Sequence, residues 1–212
     1  MRYLFIFLLF PFCSIAQSPE EIAGVLAKQE FSKKNIYLFC RGTKAKSGLI
    51  ARNFNRADTS VTHVGIGFYD GESFRIFNVT DSRGYLNALL VDSVTSFIAG
   101  WDVYYFSIWE CSNSPGEFQE FKQVLETYAT RKIIFDVSFR LKNDDTLYCS
   151  EFCAGVLNKI NTRKFYFEPV KKKLDDKLFA AILEREAIIY YPIDFFTGNK
   201  KCKKIFESGI GR

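Results

Sequence analysis

One histidine and six cysteines stand out in the sequence as groups able to do chemistry. Cys149 lies in Asp144-Asp145-Thr146-Leu147-Tyr148-Cys149-Ser150-Glu151-Phe152-Cys153, where Asp144-Asp145-Thr146 predicts a cap and a helix over 147–160. In the first turn of a helix the backbone N–H groups lack partners and the dipole is positive. That setting favours a thiolate, and the same N–H groups can hold an oxyanion when the sulfur attacks a carbonyl. A nucleophile of this kind needs a base. The one imidazole is His63, in Thr62-His63-Val64-Gly65-Ile66-Gly67. Taken singly, each residue also has an ordinary reading. Cys149 can be a small buried hydrophobe, and His63 a hydrogen-bonded residue on a half-buried strand.

The elements that must position this pair follow from periodicity and turn chemistry. Residues 61–69 read as a strand rich in β-branched and aromatic side chains. Asp70-Gly71 reads as a hairpin turn, and 73–79 as the returning strand. Strand alternation puts Thr62, Val64 and Ile66 on one face and His63, Gly65 and Gly67 on the other. The two glycines leave space beside His63 for a substrate or a close-packed helix. Ser18-Pro19-Glu20-Glu21 predicts a helix start, with the helix running over 17–34. A short strand is expected over 35–40, a loop or short helix over 44–55, a mixed and helix-like stretch over 86–98, and a strand over 101–108. Ser114-Pro115-Gly116-Glu117 opens a helix to about residue 130, with Phe118, Phe121, Val124, Leu125 and Tyr128 at helical spacing. Residues 136–141 read as extended, 175–185 as helix and 187–191 as a strand halted by Pro192. Hairpin strands and separate helices together predict an α+β fold.

The chain has 212 residues, which suits one domain with a real core, residues 17–212 here. Its 23 Phe and 11 Tyr can supply that core. The net charge of +5 permits weak association with an anionic cell surface. No stripe of alternating basic and aromatic residues marks a nucleic-acid groove, so no nucleic-acid partner is expected. Lys171-Lys172-Lys173 and the lysines of 200–204 read as solvated faces. At the N-terminus, Arg2, an apolar run over 3–12 and the small residues Ser14 and Ala16 read as a secretory signal peptide cut after Ala16. The mature protein is then expected to be secreted or periplasmic. Losing Cys13 with the signal leaves an odd number of cysteines, and so at least one free thiol. Cys149 and Cys153 lie one helical turn apart. With a single histidine and no second cysteine pair, however, the ligands for a zinc site are lacking, and neither metal nor cofactor is expected.

The two motifs together resemble the permuted papain-like hydrolases of the YiiX/YaeF group in the NlpC superfamily. In that group a strand carries a Ser-His-Val-Gly-Ile-like motif and a later helix opens on Tyr-Cys-Ser-Glu. Here Thr62-His63-Val64-Gly65-Ile66 precedes Tyr148-Cys149-Ser150-Glu151, in the permuted order. Ser47-Gly48-Leu49-Ile50, Phe54 and Asp136-Val137-Ser138-Phe139 extend the resemblance, which spans about residues 36–160. It implies a circularly permuted papain-like (NlpC-like) fold, with a small antiparallel sheet packed against the helix that carries Cys149. It also implies a third polar residue on the strand after His63, orienting the imidazole through its second nitrogen. Members often carry Glu there. The matching residue here is Asn78, which can hold the ring but adds no charge and is also a plausible strand-end turn residue. Tyr148 and Ser150 are the candidate oxyanion or substrate contacts, with packing the plainer role for Tyr148. Helix capping is the simpler role for Glu151. The implied activity is Cys-His hydrolysis of an amide in a small molecule or a cell-wall peptide. Lipid acyl ester or thioester chemistry is one alternative, and a binding module that has lost turnover is the other.

Overall fold

The computed structural model describes residues 17–81, 86–141, 143–175 and 177–211. The expected signal segment and Cys13 lie outside these described residues. Strand β1 (Ile36–Thr43) runs through the middle of the molecule, and residues 36 to 40 are fully buried. Ile36, Leu38 and Cys40 enter one core, while Tyr37 and Phe39 enter another on the opposite face. Burial on both faces explains why this segment reads as an unbroken apolar run.

Around β1 a six-stranded sheet is built from β2 (His63–Tyr69), β3 (Phe74–Val79), β4 (Leu89–Asp92), β5 (Val103–Cys111) and β10 (Cys202–Gly209). Its order is β10-β5-β1-β2-β3-β4, and every pairing is antiparallel. The β2–β3 hairpin turns at Asp70-Gly71 as expected. Gly71 has φ of 117°, and the Asp70 carboxylate accepts the N–H groups of Glu72 and Ser73.

Helices cover both faces. On one lie α4 (Pro115–Ala129) and α5 (Cys149–Ile160), which bury Phe121, Leu125, Phe152, Val156 and Leu157 against Leu38, Val64 and Ile66. On the other lie α1 (Pro19–Leu26) and α3 (Val94–Phe97), which bury Ile22, Leu26 and Phe97 against Tyr37, Phe39 and Ile76. Helix α2 (Lys46–Arg52) and the hairpin β8 (Val170–Lys173) with β9 (Ala187–Tyr190) flank one end of the sheet, together with α6 (Lys177–Leu183). The two-residue strands β6 (Ile134–Phe135) and β7 (Thr146–Leu147) pair in parallel just ahead of α5.

Several expectations are corrected. The first helix ends at Leu26, because beyond Ile22 and Leu26 the sequence offers no further apolar stripe to bury. Its start is as expected, with Ser18 and Glu21 in a reciprocal capping box and Pro19 just inside. The 86–98 stretch is β4 followed by the single-turn α3, separated by the Ser93 cap. Residues 136–141 are not extended. They wind around the buried Asp136 carboxylate, which accepts from Ser138 N–H, Ser138 Oγ and Arg140 N–H. Phe139 and Leu141 there adopt φ of 50° and 49°. Helix α5 begins later than expected, with Tyr148 at the cap. Thr146 is in β7, and Asp144 lies 2.5 Å from Lys159. The two lysine runs are largely solvated as expected, with Lys171, Lys172 and Lys173 on β8 and Lys203 and Lys204 on β10. Lys204 is half-buried beside Trp109 and pairs with Glu207 at 2.6 Å.

Candidate active site

Starting α5 at Cys149 makes this residue the first of the helix. Its side chain is 8% exposed, at the wall of a cavity of about 530 Å³. The cavity opens at the end of the sheet where β1 and β3 finish and β2 and β5 begin, so Arg41, Thr43, His63, Thr80 and Val103 all line it. Asp136 holds the loop that brings Val137 and Phe139 to the opposite wall, with Phe54, Ile188 and Tyr190 beside them.

His63 stands directly opposite Arg41 in the β1–β2 register. Both lie against Phe97 of α3: the His63 ring is 5.6 Å from the Phe97 ring, and the Arg41 guanidinium is 4.8 Å above it. The imidazole is carried by a strand of the sheet and lies against α3, Cys149 opens α5 on the other face, and both line the cavity. Among the described residues no hydrogen bond joins the thiol to the ring.

His63 Nε2 lies 3.0 Å from Asn78 Oδ1. The amide of Asn78 has only one orientation, because its Nδ2 donates to Asp92 Oδ2 at 2.9 Å. Asp92 is itself fixed by Ser96 Oγ, which donates to Oδ1 at 2.8 Å. Its oxygen having been assigned to the ring, Asn78 must accept from Nε2–H. The proton therefore sits on Nε2, and Nδ1 carries the lone pair. The candidate base, its orienter and the orienter's own anchor form one chain, His63–Asn78–Asp92–Ser96.

The space expected beside Gly65 and Gly67 is filled by β3, not by substrate or helix. A Cβ on Gly65 would lie 2.8 Å from Ile76 Cγ2 and 3.1 Å from Asn78 Cβ, and one on Gly67 would lie 1.9 Å from Arg75 O. The glycines let β3 come close enough for Asn78 to reach the ring.

Electrostatics depart from the expectation of a lowered thiol. Burial pushes Cys149 above its ordinary value. The amides of Val64 and Ser150, and then Arg41, pull the other way without prevailing. Burial also drives His63 down to about 3, helped by Arg41 and opposed by Asn78. The resting pair is a neutral thiol and a neutral imidazole.

Tyr148 and Ser150 flank Cys149 on the cavity wall, but their hydroxyls serve Tyr191. Ser150 Oγ donates to Tyr191 O at 2.7 Å, and Tyr191 N–H donates to Tyr148 Oη at 2.7 Å. Ser150 thus acts on the sulfur through its backbone amide rather than its side chain. Glu151 caps α5 as expected, accepting from Tyr148 N–H at 3.4 Å. Cys153 is fully buried with its sulfur 3.8 Å from Val64 O. Cys111 and Cys202, directly opposite on β5 and β10, have sulfurs 3.3 Å apart and unbonded.

Arg41, Asp92, Ser96 and Phe97 escaped the sequence reading. Arg41 fell just past the strand expected over 35–40, and Asp92 and Ser96 fell in a stretch read as mixed. The one available signal was Asp92-Ser93-Val94-Thr95-Ser96, a capped turn directly after a strand.

No family model matches the chain, and no curated protein matches it. Among solved structures, the chain is similar to the crystal structure of the metalloprotein YiiX from Escherichia coli O157:H7, DUF1105. The TM-score is 0.60 at 14% identity, over 84% of this chain and 99% of that one. The fold is therefore YiiX-like, a mixed α/β architecture on a mostly antiparallel sheet.

Proposed function

We propose that the chain is an exported cysteine hydrolase that cleaves an amide bond through an acyl intermediate on Cys149. The observation that carries this reading is the oriented chain Asp92–Asn78–His63, which leaves Nδ1 as the basic nitrogen at a cavity walled by the thiol. Such an arrangement supplies nucleophile, base and orienter. Nδ1 takes the Sγ proton as sulfur attacks the carbonyl carbon. The carbonyl oxygen becomes an oxyanion among the amides at the start of α5. The imidazolium returns the proton to the leaving amine, and water hydrolyses the thioester by the same base. The fold is read as a permuted papain-like one, supported by the histidine strand preceding the cysteine helix in the chain. Export rests on the apolar run over 3–12 followed by the small residues Ser14 and Ala16.

The YiiX structure is of a metalloprotein, and the residues here do not fit a metal. Among the described residues no three of His, Cys, Asp and Glu cluster so as to hold one. The single imidazole has Nε2 engaged by Asn78.

A second reading, lipid acyl ester or thioester hydrolysis, is favoured by the walls of the cavity. Ile50, Phe54, Val137, Phe139 and Ile188 are apolar, and Val137 is 64% exposed at the surface. Incubating the protein with 4-nitrophenyl octanoate and with octanoyl-4-nitroanilide, then mapping the acyl adduct by mass, separates the two. The amide reading expects turnover of both, the lipid reading turnover of the ester alone, and no adduct on Cys149 rejects both.

A further inference from the structure

Arg41 lines the cavity and has no part in the proton relay. Its Nη1 donates to Phe97 O, and its guanidinium lies over the Phe97 ring. Nε is buried and has no hydrogen-bond partner. Among the described residues Arg41 has no carboxylate within ion-pair distance. Asp92 and Asp102 favour its charge from farther off, and Asp92 is itself engaged by Asn78 and Ser96. A guanidinium removed from water without a matching anion is costly. The wall around it is otherwise largely apolar, and Cys149 and His63 stand beside it.

We infer that Arg41 binds an anionic group of the substrate, a carboxylate or a phosphate held close to the scissile acyl carbon, while the cavity takes an apolar chain. The inference rests on the reading of Cys149 as the nucleophile and narrows its substrate to anionic acyl compounds. An arginine presents several donors in a fixed plane that match either oxyanion. With the relay imidazole uncharged, Arg41 is the cation of the site. Asp81 and Asp102 also line the cavity, and Asp102, like Asp92, acts on the Arg41 charge from beyond ion-pair distance.

Alkylation of Cys149 in the full chain by iodoacetate and by iodoacetamide tests this. The same thiolate attacks both reagents and displaces iodide, so the ratio of their rates cancels the thiol's ionisation and reads the local affinity for an anion. The ratio is expected to be about tenfold higher in wild type than in Arg41→Gln, the size of one charge-assisted hydrogen bond. It should be retained in Arg41→Lys and in His63→Ala. Equal ratios in wild type and Arg41→Gln overturn the proposal, as does a ratio that falls in His63→Ala alone. Thermal shift adds an arm that does not need a reactive thiol. Octanoate or octyl phosphate, but not 1-octanol, should raise the melting temperature of wild type and fail to do so in Arg41→Gln. Whichever anion acts identifies carboxylate or phosphate, and stabilisation by all three alike contradicts the inference. Failure of acylation at Cys149 with this selectivity intact would reject the hydrolase reading and leave the anion site standing.

Discussion

Asn78 Nδ2 donates to Asp92 Oδ2 at 2.9 Å, and this one hydrogen bond decides which nitrogen of His63 is basic. In Asp92→Ala the Asn78 amide is free to turn and present Nδ2 to the ring, which favours the opposite tautomer. Acylation of Cys149 is expected to fall by about ten- to a hundredfold, as with other groups that orient a histidine from behind. Circular dichroism should be unchanged. Asn78→Asp places a charge on the ring instead and should raise the His63 pKa from about 3, moving the acid limb of the acylation profile to higher pH. An unshifted profile in Asn78→Asp contradicts the assignment.

The resting pair is uncharged, and this has a signature in pH. Burial holds the Cys149 thiol above its ordinary value of 9.0 and His63 down to about 3. Below the thiol pKa the thiolate fraction, and with it the iodoacetamide rate, should rise about tenfold per pH unit. No plateau is expected between pH 5 and pH 8, where a preformed thiolate–imidazolium pair would produce one. The full profile from stopped-flow or mass-resolved labelling decides between the two.

Burial pushes the Glu151 carboxyl up to about 8, from an ordinary 4.5. The folded chain thus holds this proton more tightly than the unfolded chain. The resulting stabilisation is complete below the unfolded value and is lost as pH rises through 8. Glu151→Gln keeps an acceptor for Tyr148 N–H and has no charge to bury. Its melting temperature should match wild type near pH 4 and exceed it by several degrees at pH 9. A gap that does not widen with pH is the contrary result.

Cys111 and Cys202 face each other across β5 and β10 with sulfurs 3.3 Å apart. Diamide, which removes both thiol hydrogens as it is reduced to the hydrazine, should join these two in the native protein. Peptide mapping should find the Cys111–Cys202 bond in wild type and none in Cys202→Ser. A Cys149–Cys153 bond as the main product would contradict the positions of the thiols.

Much of the site was legible in the sequence because its parts sit on strongly patterned elements. The alternation of 61–69 and the Asp70-Gly71 turn fixed β2 and β3, and with them the distance from His63 to Asn78. Capping chemistry fixed α4, and the polar run Asp144-Asp145-Thr146 pointed to α5, although the cap is Tyr148. Charge was not legible. The sign of the Cys149 shift depends on how deeply the thiol is buried, and no local pattern carries that. Arg41 was hidden because strand alternation says which face a residue takes but not what waits there; Phe97 arrives from a helix 56 residues away. The turn over 136–141 was missed because it is wound on one buried carboxylate, Asp136, a long-range solution to a short segment with no glycine of its own. Strands β8 and β10 were masked by their lysines, of which Lys172 reaches Asn53 O and the Phe54 ring and Lys204 reaches Glu207 and the Trp109 ring.

The central claim is that His63 makes Cys149 a nucleophile toward acyl groups. Its most direct measurement is the rate at which 4-nitrophenyl octanoate places an octanoyl group on Cys149, followed by intact mass and peptide mapping in wild type, His63→Ala and Cys149→Ser. The account predicts a single adduct at Cys149 in wild type, formation slowed by about a hundredfold or more in His63→Ala, and none at that position in Cys149→Ser. Equal rates in wild type and His63→Ala, or an adduct on another residue, would contradict it.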